Sequence, residues 1–290
     1  MKVVLFCGGL GLRLREFSEN TPKPMVPIGY RPIIWHVMKY YAHYGHRDFV
    51  LCLGYKADAI KDYFLNYNEC LSNDFVLSDG GKDVRLLNRD IDNWSITFVD
   101  TGMDANIGMR LRAVREHLGD DETFLANYAD NLSDVPMPDV IEHAKLQDKV
   151  GCFISVKPAQ TFHLVKSGPD SSVKEILSVA QSDDVWINGG FFVFKRQIFD
   201  YIREGEELVL DPFQRLIRED QLTTYKYNGF WACMDTFKEK MSLEDLYSRG
   251  QAPWEVWKNR PRMPGRLVGS HLATGSNGNG NGHVVAGLVR

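Results

Sequence analysis

The chain has 290 residues, and its 44% hydrophobic and 25% charged content is typical of a globular protein with a sizeable core. Its 34 basic and 38 acidic residues give a formal net charge of −4, which excludes a general attraction to nucleic acid or anionic membranes. The five scattered cysteines form no C-x-x-C pair, so neither a disulfide scaffold nor a zinc site is predicted. With no secretory signal and no apolar stretch of membrane-spanning length, we expect a cytoplasmic protein.

Short apolar runs rich in β-branched and aromatic residues predict the core strands. In chain order they are Val3–Cys7, Phe49–Leu53, Ile96–Val99, Thr123–Ala126, Cys152–Val156 and Phe191–Phe194. Helical spacing of apolar residues predicts helices between them, at Ile33–His43, Ala57–Tyr67, Arg110–His117 and Pro138–Lys145. Strands that alternate with helices predict an α/β fold, Rossmann-like and doubly wound, with a mainly parallel sheet.

The remaining segments depart from this alternation. Residues 68–93 contain a predicted hairpin that turns at Asp79–Asp83, which we interpret as a β excursion from the core. Residues 151–235 are predicted to form a β-rich lobe continuous with the sheet. One domain is therefore expected over residues 1–259, with a last helix at Met241–Arg249. Residues 260–290 are rich in Gly, Asn and Ser and are predicted to be a disordered tail.

A glycine-rich turn follows the first predicted strand. It reads Gly8-Gly9-Leu10-Gly11-Leu12-Arg13 and is followed by Pro22-Lys23-Pro24-Met25. Glycines let main-chain N–H groups approach phosphate oxygens, and Lys23 adds a cation held between two prolines. The spacing matches neither the dinucleotide fingerprint G-x-G-x-x-G nor the P-loop, so an NAD-dependent oxidoreductase is not favoured. The turn predicts a local phosphate site of another kind.

Further segments extend this motif into a specific resemblance. They are Pro24–Gly29, Pro32–Met38, Leu53–Lys56, Phe98–Gly102, Ile187–Phe192 and Phe230–Thr236. Together they resemble the sugar nucleotidyltransferase family, and within it the cytidylyltransferases of glucose 1-phosphate, over roughly residues 1–250. The resemblance implies a GT-A-like nucleotidyltransferase fold. It also implies a homo-oligomeric enzyme that joins CTP to a sugar 1-phosphate with Mg²⁺, giving a CDP-sugar and pyrophosphate.

The resemblance also implies which residues bind each substrate. The nucleotide would contact Arg110, Ala129, Lys23 and the loop of Gly8, Gly9, Leu10, Gly11, Leu12 and Arg13. Arg13 and Lys23 would be the catalytic cations, because they neutralise the phosphates. From its own context, Arg110 is instead predicted to be a solvated residue at the start of a helix. Asn188 and Gly189 would line the pocket for the acceptor, the sugar phosphate.

Two aspartates are implied as metal ligands. Asp130 ends a predicted core strand, where ligands bind in open α/β sheets, and Asp235 lies in Met234-Asp235-Thr236. Each could instead cap a turn, and Asp134 is a weaker candidate. Two carboxylates completed by phosphate oxygens and water suit Mg²⁺, provided that they lie within about 8 Å of each other.

Three positions depart from the family pattern. Leu12 replaces a threonine of the phosphate loop, and Asn131 replaces a glycine, which would put a side chain beside the metal site. Val179 replaces the lysine that holds the acceptor phosphate, for which the alternatives are Lys157, Lys166, Lys174 and His163. Two further hypotheses therefore stand beside the CTP:sugar 1-phosphate enzyme. One is a transferase for a non-sugar phosphorylated acceptor, and the other is a catalytically degenerate relative that binds nucleotide or a partner protein.

Overall fold

A computed structural model describes residues 1–9, 21–158, 163–179 and 185–258. The predicted tail and the loop residues Leu10, Gly11, Leu12 and Arg13 lie outside the described residues. The strands are β1 (Val3–Phe6), β2 (Pro27–Ile28), β3 (Arg31–Pro32), β4 (Asp48–Leu53), β5 (Phe75–Ser78), β6 (Asp83–Leu86), β7 (Ser95–Asp100), β8 (Thr123–Tyr128), β9 (Asn131–Ser133), β10 (Gly151–Val156), β11 (His163–Ser167), β12 (Val173–Ser178), β13 (Ile187–Asn188), β14 (Phe192–Lys195), β15 (Leu222–Tyr227) and β16 (Trp231–Cys233).

The helices within these residues are α1 (Ile33–His43), α2 (Ala57–Leu65), α3 (Ile107–Ala113), α4 (Met137–Gln147), α5 (Ile198–Tyr201), α6 (Asp211–Arg218) and α7 (Phe237–Ser248). Within the described part of the chain, none of them has the length and apolar character needed to cross a membrane.

An eight-stranded sheet lies at the centre of the fold. Strands β8, β1, β4 and β7 are adjacent and parallel, with Val4 opposite Val50 on one side and Ala126 on the other. Strand β14 joins β8 in antiparallel orientation and is followed by β10, with which β15 pairs in parallel. The sheet is therefore mainly parallel, as predicted. The carboxyl ends of β8, β10 and β15 meet at one edge of it.

Both faces of the sheet are covered by helices, which confirms the doubly wound fold. Successive residues of a strand point to opposite faces. In β1, Val3 and Leu5 join a core cluster with residues of α1, α2, α4 and α7, whereas Val4 and Phe6 join a cluster with residues of α3, α5 and α6. A continuous apolar run is typical of parallel strands that are buried on both sides.

Helix α3 begins earlier than the apolar spacing predicts. The Asn106 side chain accepts a hydrogen bond from the Met109 N–H (2.9 Å) and caps the helix, so that it starts at Ile107 rather than at Arg110. The chain up to Leu118 then forms a short 3-10 helix instead of a continuation of α3. The predicted hairpin is confirmed, because β5 and β6 pair with each other outside the central sheet.

Along one edge of strand β10, the pairing is divided between two short strands. Because β15 pairs with β10 along its whole length, β13 and β14 must both lie along its other edge. Cys152 is opposite Val193 in β14, but Val156 is opposite Ile187 in β13, so the register shifts between the two strands. The extra chain, residues 189–191, is accommodated by left-handed backbone at Gly190 (φ +74°) and at the residue that follows it (φ +50°).

Candidate active site

Two short strands bring Asp130 and Asp235 together. Strands β9 and β16 are antiparallel, with Asn131 opposite Cys233. Asp130 directly precedes β9 and Asp235 closely follows β16, so this pairing makes neighbours of two residues that are far apart in the sequence. The Met234 N–H donates to the Asp130 carbonyl at 3.1 Å and closes the pair. The two aspartates lie just beyond the carboxyl end of β8, where open α/β sheets bind ligands.

The Lys23 ammonium lies between the two carboxylates and forms an ion pair with each of them. Its backbone is part of a 3-10 turn that begins directly after Pro22. Burial lowers the pKa of Lys23, but the Asp130 and Asp235 carboxylates raise it by more, so that it lies above its ordinary value. Lys23 is therefore a permanent cation. Because both carboxylates contact one nitrogen, the distance condition for a shared metal ion is met.

Glu239 fixes the main chain of Asp235, a role that the sequence interpretation missed. Its carboxylate accepts hydrogen bonds from the N–H groups of Asp235 and Thr236, both at 2.8 Å, and the Thr236 hydroxyl accepts one from the Glu239 N–H at 3.3 Å. This capping box starts α7 at Phe237 rather than at the predicted Met241. The sequence signal was available, because Thr-x-x-Glu at the start of a helix is typical of such a box.

The Cys233 thiol lies close to the same carboxylates. Burial raises its pKa to about 12, with a further contribution from Glu239 and Asp235. The thiol is therefore protonated at neutral pH, which does not favour a role as a nucleophile. In the described part of the chain no group of three or more His, Cys, Asp or Glu side chains could hold a metal ion. A metal at this site would take its remaining ligands from substrate oxygens and water.

Arg110 is buried beneath the start of the glycine-rich turn, with 3% of its surface exposed. Its guanidinium donates to the carbonyls of Gly8 (2.9 Å), Leu53 (3.0 Å) and Gly102 (2.9 Å). It also donates to the Thr101 hydroxyl at 2.7 Å. The prediction of a solvated helix-start residue is wrong, because these acceptors offset the cost of burying the charge. A Cβ at Gly8 would lie 2.0 Å from Arg110 Nη1, so the arginine itself requires glycine there.

The predicted acceptor residues lie where β13 ends. The Asn188 side chain accepts a hydrogen bond from the Gly190 N–H at 2.9 Å. The Gly189 carbonyl accepts hydrogen bonds from Trp231 Nε1 (2.8 Å) and Asn131 Nδ2 (3.4 Å). The Asn131 side chain thus contacts Gly189, and it links the turn that carries Asp130 to the acceptor segment.

The remaining predicted site residues differ in their exposure to solvent. Gly9 is exposed and Ala129 is buried next to Asp130. Val179, which is predicted to replace the family lysine, is buried after β12. The alternative metal ligand Asp134 accepts hydrogen bonds from the Tyr227 hydroxyl (2.5 Å) and the main chain at residue 230 (2.8 Å), so it supports the strands that hold the aspartates.

Comparison with known proteins identifies the family. Residues 2–238 match the family model described as nucleotidyl transferase. The glucose-1-phosphate cytidylyltransferase of Salmonella typhimurium is 36% identical over 262 residues, which cover 89% of this chain and 100% of that protein. The protein of the same name from Salmonella typhi has the same identity and coverage. The chain belongs to the nucleotidyl transferase family.

Solved structures share the fold at lower identity. An apo UDP-glucose pyrophosphorylase superposes with a TM-score of 0.64 at 14% identity, covering 87% of this chain and 99% of that one. HddC from Yersinia pseudotuberculosis superposes with a TM-score of 0.61 at 19% identity, covering 85% and 99%. The predicted nucleotidyltransferase fold is confirmed.

Proposed function

We infer that this enzyme transfers the cytidylyl group of CTP to a sugar 1-phosphate, with glucose 1-phosphate or a modified relative as the acceptor. The products are a CDP-sugar and pyrophosphate. The observation that carries the inference is the Lys23 ammonium, paired with Asp130 and Asp235 at the ligand-binding edge of the sheet. The identity of 36% over the full length of a glucose-1-phosphate cytidylyltransferase supports the choice of CTP and of the acceptor.

The reaction requires charge stabilisation rather than a protein nucleophile. An oxygen of the acceptor phosphate bonds to the α-phosphorus, and the bond from that phosphorus to the β-phosphate oxygen breaks. Pyrophosphate leaves with the electron pair. The attacking oxygen is already anionic, so no covalent enzyme intermediate is needed, which agrees with the protonated Cys233 thiol. Negative charge develops on the leaving group and on the α-phosphoryl oxygens.

The charged residues of the predicted site would meet this demand. Lys23 would supply positive charge to the reacting phosphates once Mg²⁺ replaces its ammonium between the two carboxylates. Asp130 and Asp235 would hold Mg²⁺, which when bound neutralises phosphate charge as a Lewis acid. Arg110 holds the main chain where the glycine-rich turn begins, and the N–H groups of that turn, with Arg13, would bind the triphosphate. Asn188 and Gly189 would line the acceptor pocket.

A substrate matrix tests the proposal. The full chain is supplied with each of the four ribonucleoside triphosphates, Mg²⁺ and either a hexose 1-phosphate or the non-sugar acceptor glycerol 3-phosphate, and pyrophosphate release is measured. We expect release with CTP and a hexose 1-phosphate. Asp130→Asn and Asp235→Asn should each lower the rate by about 10³-fold or more, since charge stabilisation in such sites contributes on that order. Asp139→Asn, an exposed acid at the start of α4, is the matched control.

Other patterns of pyrophosphate release would support the alternative functions. Release only with glycerol 3-phosphate would support a non-sugar acceptor. Calorimetric binding of CTP without release from any pair would support a catalytically degenerate relative and refute the proposal. Omission of Mg²⁺ with added chelator should abolish release, and activity that persists would contradict the metal assignment. The homo-oligomer implied by the family resemblance stays a prediction, which light scattering tests.

A further inference from the structure

Two lysines contact one tryptophan at the edge of the predicted acceptor pocket. The ammonium nitrogen of Lys157 lies 4.3 Å from the centroid of the Trp186 ring, and that of Lys226 lies 5.2 Å from it. Both are within cation–π distance. Two cations at one ring concentrate positive charge, which an anion bound near both of them would offset.

The strand register puts these residues on one face of the sheet. Ser155 of β10 is opposite Asn188 of β13 and opposite Lys226 of β15. Directly opposed residues share a face, and so do residues two apart along an extended strand. Lys157 therefore shares the face of Ser155, and Trp186 shares the face of Asn188, the predicted acceptor residue.

A buried hydroxyl on this face provides a second, independent observation. Ser155 is 5% exposed, and its Oγ has no hydrogen-bond partner among the residues that the structure describes. A buried polar atom without a partner costs free energy and is uncommon in folded proteins. Ser155 is directly opposite Asn188 and Lys226, so a group bound by these residues is a candidate partner for the hydroxyl.

The cluster also lies at the reactive edge of the sheet. Lys157 directly follows the carboxyl end of β10 and Lys226 is near the carboxyl end of β15. Both strands are parallel to β8, whose carboxyl end leads to Asp130. Asn188 Nδ2 contacts the Tyr128 hydroxyl at 3.5 Å, which connects this wall to the last residue of β8.

We propose that Lys157 and Lys226, which both contact Trp186, bind an anionic group of the acceptor together with the neighbouring Ser155 hydroxyl. This proposal rests on the proposed function of the chain. It replaces the expected cation at Val179, whose side chain is apolar and buried. It also selects among the lysines of this lobe, because Lys157 follows a strand of the central sheet, whereas Lys166 and Lys174 lie on the separate hairpin of β11 and β12. The anionic group is either the reacting phosphate or a second phosphate elsewhere on the sugar.

Steady-state kinetics with two acceptors test the site and separate these sources. Lys157→Gln, Lys226→Gln and the double variant are assayed with CTP, Mg²⁺ and either glucose 1-phosphate or glucose 1,6-bisphosphate. Each single substitution should raise KM for the acceptor by about tenfold and leave KM for CTP unchanged, because each removes one charge-assisted contact. Lys166→Gln is the matched control and should change neither constant.

The two acceptors distinguish the sources of the anion. If the two lysines bind the reacting phosphate, the double substitution raises KM by the same factor for both acceptors. If they bind a second phosphate, the wild type has a lower KM for glucose 1,6-bisphosphate than for glucose 1-phosphate. The double substitution then raises KM for the bisphosphate alone. Ser155→Ala should raise KM without lowering the midpoint of thermal unfolding, a combination that a purely structural serine would not give.

Unchanged acceptor KM values in a folded, active double variant would overturn the inference and leave the proposed function intact. If no triphosphate and acceptor pair gives turnover, the proposed function fails separately. Calorimetric titration of glucose 1,6-bisphosphate into the wild type and the double variant still tests the site. Binding of equal affinity, or no binding to either protein, would refute it.

Discussion

His36 of α1 makes the stability of this fold depend on pH. The ring is 1% exposed, and its two nitrogens have fixed partners. Nε2 lies 3.0 Å from the Ile28 carbonyl, and Nδ1 lies 3.3 Å from the Nε1–H of Trp254. Because a carbonyl only accepts and an indole N–H only donates, Nε2 carries the proton and Nδ1 is the acceptor. A second proton on Nδ1 would oppose the Trp254 N–H.

The size of the effect follows from the pKa. Burial lowers the pKa of His36 from 6.5 to about 4, outweighing the hydrogen bond to Ile28, which raises it. As pH falls, the unfolded chain therefore binds this proton before the folded chain does. The stabilisation is fully present above pH 6.5 and is lost as pH falls towards 4. This difference between the unfolded-state and folded-state pKa values contributes about 3 kcal/mol to the free energy of unfolding. About 2 kcal/mol of that contribution is lost between pH 7 and pH 4.5.

Urea unfolding, followed by tryptophan fluorescence at pH 7 and pH 4.5, measures this loss. His36→Gln keeps a donor for Ile28 and an acceptor for Trp254 but does not titrate. We expect the wild type to lose about 2 kcal/mol more than this variant over the interval. His117→Gln, which replaces an exposed histidine, should follow the wild type. Parallel losses in the wild type and His36→Gln would refute the reasoning.

Two substitutions test the supports of the nucleotide and acceptor sides. Arg110→Met leaves buried carbonyls without their donor, so the free energy of unfolding should fall by about 3 kcal/mol. Because Arg110 supports the glycine-rich turn, KM for CTP should rise more than KM for the acceptor. Equal rises in the two KM values would contradict this role of Arg110. Gly190→Ala combines left-handed backbone with a Cβ 2.6 Å from Asn127 Oδ1 and should cost about 3 kcal/mol in urea unfolding. Gly45→Ala, also left-handed but in open space, should cost about 1 kcal/mol, and equal losses would exclude a packing contribution at Gly190.

The central sheet was predictable because its parallel strands are apolar on both faces. Continuous runs such as Val3–Cys7 and Phe49–Leu53 carry that signal directly. The aspartates were found through the motifs around them, and Asp130 also through its place at the end of a strand. Their roles at the site stay predictions. The contact that joins them depends on β9 and β16, which are too short to show an alternating pattern.

Other features depend on pairings between distant segments. Arg110 is buried because acceptors from several loops converge on it, and no local pattern around residue 110 encodes that convergence. Lys157 and Lys226 are brought together only by the parallel pairing of β10 with β15. A parallel pair requires a long crossover, so its register is not readable from either strand alone. Helix α7, in contrast, was misplaced although its capping box was visible in the sequence.

The shift in register along β10 separates two tasks within one stretch of chain. Beyond it, Phe192 and Phe194 stack at 5.2 Å in the core and pair with β8. Before it, Trp186 and Asn188 form the wall that is proposed to meet the acceptor. Since residues 189–191 absorb the offset, residues 185–188 can be exchanged without moving the aromatic layer behind them. The proposal therefore predicts that changes confined to residues 185–188 can alter the choice of acceptor while the folding core stays constant.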